Sequence, residues 1–132
     1  MSYFDDFLEE ELAQIISLPA RIGIWVALAD NVRATDKDER RESRALEAIL
    51  KLLAKNKKSP FVADVAGQTL TYRHQWGDWS KGGEDALMAD IVNATGMIDD
   101  RLPVGTGRAF RSMLWRVARV VAMAYGEIKG PG

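Results

Sequence analysis

The residues with the types and spacing to do chemistry are carboxylates, gathered in one stretch. Within 18–53 (LPARIGIWVALADNVRATDKDERRESRALEAILKLL) an apolar segment ends at Asp30, a short turn follows, and then come Asp36, Asp38, Glu39 and Glu42. At about 100° per residue, Glu39 and Glu42 lie within about 40° of Leu46 on a helix. They therefore carry the core stripe of Leu46, Ile49, Leu50 and Leu53 backwards, towards the turn. A carboxylate on the buried side of a helix requires a cation, either an arginine or a metal ion. Asp30 falls at a helix C-terminus, where free carbonyls already make the potential negative. Facing Asp36, Asp38 and Glu39 across the turn, it completes an oxygen-rich site of the kind that takes Ca²⁺ or Mg²⁺. The spacing is not that of an EF-hand, because Arg33 and Arg40 interrupt it and no glutamate closes a twelve-residue loop. The same residues also have a structural reading. Glu39 and Glu42 can pair with Arg21 or with arginines near the C-terminus, and Asp36 and Asp38 can simply support a helix start after Thr35.

Other chemistry-bearing residues are sparse. The lone His74 has Asp78 nearby to orient it, but no serine stands in a nucleophile's place and no second histidine completes a zinc site. Trp76 and Trp79 can stack on a ligand or pin their segment to the core, and pinning is the commoner use. Arg108, Arg111, Arg116 and Arg119 lie along one broad side of a C-terminal helix. Their expected partners are the acidic residues of the first and third predicted helices, or another protein. Gly105-Thr106-Gly107 lacks the rest of a phosphate-binding loop.

The elements that must position these residues are helices. Helical spacing predicts about six: 3–17 capped by Ser2, 19–29 opened by Pro19, 35–55 capped by Thr35, 59–74, 84–99 and 106–125, with Gly126 as the stop. In 75–83, QWGDWSKGG reads as a loop. Apolar on most sides, 19–29 and the end of the last helix are expected at the centre. The fold expectation is a single all-α bundle over 1–132, with a loose tail from about 127. Hydrophobic residues make up 47% and charged residues 28% of the 132, as in ordinary globular proteins. A net charge of −1 provides no field for nucleic acid, and the absence of cysteine removes disulfides and thiolate sites. No uninterrupted apolar run reaches the roughly 18 residues of a membrane span, and the acidic N-terminus is unlike a secretory signal, so a cytoplasmic protein is expected.

ALAD (27–30), the acidic turn, the Thr35 cap and the acidic helix start together resemble the tellurite-resistance TerB-like domains. That family repeats the unit, and RVARVVAMAYGEI (116–128) resembles the second copy, with Tyr125 where an aspartate stands in the family and Asn31 replacing a glycine in the first. The resemblance implies a compact helical bundle, an acidic cluster for a divalent cation, and a role beside bacterial stress-response or phage-defence complexes. Position by position it gives Asp30 as the first motif aspartate, Thr35 as the cap, and Asp38 or Glu39 as the acidic helix start. The functional expectation is a non-enzymatic TerB-like module holding Ca²⁺ or Mg²⁺ through Asp30, Asp36, Asp38, Glu39 and Glu42 and docking a partner protein or a second copy. The alternative is a metal-free interaction domain in which those carboxylates pair with arginines.

Overall fold

The computed structural model describes the backbone over residues 3–30 and 36–129 and the side chains over 4–28 and 44–124. Among the described residues all regular structure is helical. A 3-10 turn (Tyr3–Asp6) precedes α1 (Glu9–Asp30), α2 (Asp36–Leu53), α3 (Pro60–Thr71), the single-turn α4 (Trp76–Trp79), α5 (Gly83–Arg101) and α6 (Thr106–Lys129). Five long helices thus pack together where about six were expected.

The predicted first and second helices are one. α1 runs for 22 residues straight through Pro19. Its start is fixed by Glu9, Glu10 and Glu11, which occupy the first turn, facing the positive end of the helix dipole. Leu8 N–H donates to Glu11 Oε1 at 2.8 Å, the glutamate half of a capping box. A proline inside a helix removes one backbone bond and crowds the carbonyl four residues back, costing about 3 kcal/mol. Here the surroundings offset that cost. Ile15, Leu18, Pro19 and Ala20 are all buried. Thr69 of α3, itself fully buried, donates its hydroxyl to Ile16 O at 2.7 Å, in the turn the proline loosens. Val65 O lies 2.8 Å from the same hydroxyl. The hydroxyl has one proton, which the two carbonyls share. Tertiary packing has overridden a local helix breaker.

α1 touches every other helix, and α6 lies along both α1 and α2. α2 meets α1 where Gly23 lies so close to Leu46 that a Cβ there would stand 2.7 Å from Leu46 Cδ1. α5 is antiparallel to α1: Asp90 reaches Arg21 at one level, and Arg101 reaches Glu11 at the other. Phe61 gathers the apolar end of the bundle, with the rings of Phe4, Phe7 and Phe110 all centred 6.1 to 6.3 Å from its own. The expectation that 19–29 is wholly central needs correcting. Burial is complete over Ile15–Ala20, whereas Ile24, Trp25 and Val26 are half-buried and Leu28 is 68% exposed. Once helix continuity is known, Glu9–Leu28 has the length and mean hydropathy (1.3) of a membrane span. Its apolar residues instead pack against the rest of the bundle, and membrane spanning is not indicated.

Two more expectations change. Residues 73–82 are not an open loop but a string of helical turns, held by Trp76, whose buried Nε1–H donates to Thr69 O at 2.9 Å. Gly126 does not stop α6, which continues to Lys129. Glycine ends a helix by taking a left-handed conformation, and among the described residues only Gly83 and Gly105 do so.

Candidate functional site

The backbone places Asp30 at the last position of α1 and Asp36 at the first of α2. Asp38, Glu39 and Glu42 follow within the first two turns of α2. The side chains of Asp30, Asp36, Asp38, Glu39 and Glu42 lie outside the described residues, as do the Thr35 cap, the turn at 31–35, the Ser2 cap and the side chains of Tyr125–Glu127. Among the described residues no group of three or more histidines and carboxylates is placed to hold a metal ion.

Among the described residues two of these arginines have clear partners. Arg21, one expected partner for Glu39 and Glu42, donates to Asp90 Oδ2 at 2.8 Å, with its side chain only 10% exposed. That pair extends to Gln14, whose amide donates to Asp90 Oδ1 at 3.1 Å. On α6, Arg111 reaches Asp99 of α5 at 3.3 Å. Asp36, Asp38, Glu39 and Glu42 lie outside the described side chains, but Arg108, Arg116 and Arg119 are exposed and make no ion pair with any described residue. The phase of α6 explains this: Phe110, Met113, Leu114, Val117 and Val121 take the inward positions and leave the arginines on the far side.

His74 is exposed beside the Tyr72 ring, and Asp78 pairs with Lys81 at 3.0 Å. Gly107 is occupied from outside, since a Cβ there would overlap Asp99 Oδ1 at 1.8 Å. A carboxylate therefore already lies against the N-terminal turn of α6, where a phosphate-binding loop would need room.

A well-formed concave surface lies where sequence reasoning did not look. Between the first half of α1 and the α3–α4 segment runs a groove of about 630 Å³, within the usual range for ligand sites. Phe4, Leu12, Ala13 and Ile16 floor it, Tyr72 and Trp79 wall it, Glu9 and Glu10 edge one side, and Gln68 and Gln75 complete the lining. The two wall rings are centred 6.4 Å apart at 50°. No lysine or arginine lines the groove. The local fold accounts for it. α3 ends at Thr71, and the chain then turns through short helical pieces that cannot follow α1 as a long helix would. Trp76 bonded to Thr69 O, and Ser80 Oγ donating to Trp76 O at 2.8 Å, fix the position of the turn and hold Trp79 at the opening.

Beside the groove a polar latch ties the end of α5 to the start of α1. Arg101 donates to both Glu11 oxygens at 2.6 and 2.9 Å, and its guanidinium lies 5.4 Å from the Phe7 ring centre. The Arg101 bond, followed by the Leu8 amide bond, lowers the Glu11 carboxyl from 4.5 to about 2. The Arg101 pKa is correspondingly raised, chiefly by the same contact.

Chemically, the groove offers an apolar floor, two π faces and two solvated carboxylates. Such a surface favours a group with an apolar body and a positive end. Its sequence signal was Tyr72, Trp76 and Trp79 at near-helical intervals. Which part of α1 they would face was not readable while α1 was split at Pro19. No protein-family model, curated protein or solved structure matches the chain.

Proposed function

We propose that this chain is a non-enzymatic docking module whose groove takes an apolar, cationic ridge of a protein partner. The observation that carries the reading is the groove lining, which holds three aromatic rings and two carboxylates and no positive charge. Trp79 and Tyr72 supply flat apolar contact with few rotatable bonds, the usual composition of a binding hot spot. Glu9 and Glu10 are exposed at the rim, where charge steers encounter and selects the sign of the partner more than it adds affinity.

Calorimetric titration with three short helical peptides of equal length tests the reading. One carries tryptophan and arginine, one tryptophan and glutamine, and one tryptophan and glutamate. The cationic peptide is expected to bind most tightly, to lose its advantage in Glu9→Gln/Glu10→Gln, and to weaken with salt as exposed charges are screened. Equal binding of all three, or none, rejects the groove as a cation-selective dock.

A second reading is the TerB-like one, a stress-response module with a divalent cation held by Asp30, Asp36, Asp38, Glu39 and Glu42. It is favoured by the backbone, in which Asp30 closes α1 and Asp36 opens α2 on either side of one short connection. Thermal unfolding of metal-stripped protein with added Ca²⁺, Mg²⁺, Mn²⁺ or Zn²⁺ tests it, because a native-state ligand raises the midpoint as its concentration passes the dissociation constant. No rise, or the same rise in Asp30→Asn, removes this reading.

A further inference from the structure

Resting on the docking reading of the groove, we infer that the ridge which fills it is α6 of a second copy of this chain. The outward face of α6 has the complementary chemistry. Trp115 is 70% exposed, an unusual position for so large an apolar side chain, and Met123 on the same side is 52% exposed. Around Trp115 stand Arg108, Arg116 and Arg119, exposed and without an ion pair among the described residues. No acidic residue occurs between Thr106 and Tyr125. α6 is thus locally positive over this stretch, while Asp5, Asp6, Glu9 and Glu10 lie exposed at and beside the groove.

Arg108, Ser112, Trp115 and Arg119 follow one line along the helix, and Trp115 and Arg119 are one turn apart, about 6 Å at 1.5 Å per residue. In the groove, Glu9 at the rim and Ala13 on the floor are also one turn apart. An indole seated over Leu12 and Ile16 thus brings a flanking guanidinium to the carboxylate rim. No residue of α6 lines the groove, so each copy offers a knob and a hole at the same time. A contact between two different surfaces does not close on itself, and it extends into chains unless the rotation happens to form a ring. One tryptophan and its neighbours bury far less than the 1,200 Å² or so of a stable interface. The association is therefore weak, on the order of 100 μM in dissociation constant.

The test is sedimentation equilibrium of the whole protein up to about 1 mM, well above that constant. Wild type is expected to pass twice its 14.7 kDa monomer mass at the top of the range. Trp115→Ala, with an intact groove and no knob, is expected to stay monomeric, as is the groove-filling Ala13→Trp, which keeps its knob. Because Trp115 and Ala13 are both exposed, neither change threatens the fold. An equimolar mixture of the two variants must then form dimers and nothing larger, since only one productive contact remains. Wild type that stays monomeric overturns the inference, and so does an Ala13→Trp protein that self-associates as well as wild type, which would place α6 against α6. If wild type stays monomeric while the cationic peptide still binds it, the groove reading stands and only the second copy is removed.

Discussion

Replacing Thr69 by valine removes a polar contact from α3 to the turn of α1 that holds Pro19. The two side chains are nearly isosteric, and Thr69 is fully buried, so what is lost is chiefly the hydroxyl proton donated to Ile16 O at 2.7 Å. A net intramolecular hydrogen bond contributes about 0.5–1.5 kcal/mol, and a buried acceptor left short of its donor costs about 1–3 kcal/mol. Ile16 O can still receive an amide of its own helix, so the lower end applies and we expect a loss of about 1–2 kcal/mol. At about 2.1 cal/mol/K per residue the entropy of unfolding is close to 0.28 kcal/mol/K for this chain, giving a Tm lower by about 4–7 °C. Urea unfolding followed by circular dichroism at 222 nm measures the free energy directly. The diagnostic arm is the same substitution in a Pro19→Ala background. There residue 19 supplies its own N–H, the turn tightens, and Thr69→Val should lose at least about 0.5 kcal/mol less than it does in wild type. A variant within about 0.3 kcal/mol of wild type refutes the account of α1, because that is no more than the scatter expected of independent sites. An undiminished loss beside Pro19→Ala refutes it equally.

Three further outcomes are expected. The Glu11 carboxyl is held at about 2, below its ordinary 4.5, so its pairing with Arg101 stabilises the fold fully above pH 4.5 and is lost as pH falls from there towards 2. Glu11→Gln should flatten that part of the stability–pH curve, and an unchanged slope counts against the latch. Gly23→Ala places a Cβ 2.7 Å from Leu46 Cδ1. Overpacking of about 1–3 kcal/mol then outweighs a helix-propensity gain of at most about 1 kcal/mol, and urea unfolding should show a net loss that shrinks when Leu46 is shortened to valine. Trp76→Phe removes the donor to Thr69 O at 2.9 Å, so it should cost about 1–2 kcal/mol in the same assay and weaken binding of the cationic peptide, because the turn carrying Trp79 is released. Retained stability together with retained binding would detach the groove from that anchor.

Sequence alone went far with elements defined by periodicity. α2, α3, α5 and the start of α6 stand within two or three residues of where apolar spacing and turn residues put them. It failed where tertiary contacts outweigh a local signal. Pro19 ordinarily opens a helix, and here the burial of Ile15–Ala20 in the assembled bundle makes it an interior residue. Glu9–Glu11 fall in the middle of the predicted 3–17 helix, whereas the capping bond to Leu8 makes them the first turn of α1. The partner of Arg21 was unreadable for the same reason, since Asp90 lies on a helix whose alignment with α1 is a property of the assembled bundle. The groove was half legible. Its aromatic wall shows in the spacing of Tyr72 and Trp79, but its floor looks like ordinary core stripe until the shortness of α3 leaves it uncovered.

The most direct test of the docking account is the position at which a cationic, tryptophan-bearing peptide perturbs the protein. Uniformly ¹⁵N-labelled protein shows one indole N–H resonance for each of its four tryptophans, assignable by replacing each with phenylalanine. The account predicts that the peptide shifts the Trp79 indole and the backbone amides of Leu12, Ala13, Ile16 and Gln68, while the Trp25 and Trp115 indoles stay in place. Shifts centred on Trp25 or Trp115, with Trp79 unmoved, would contradict it.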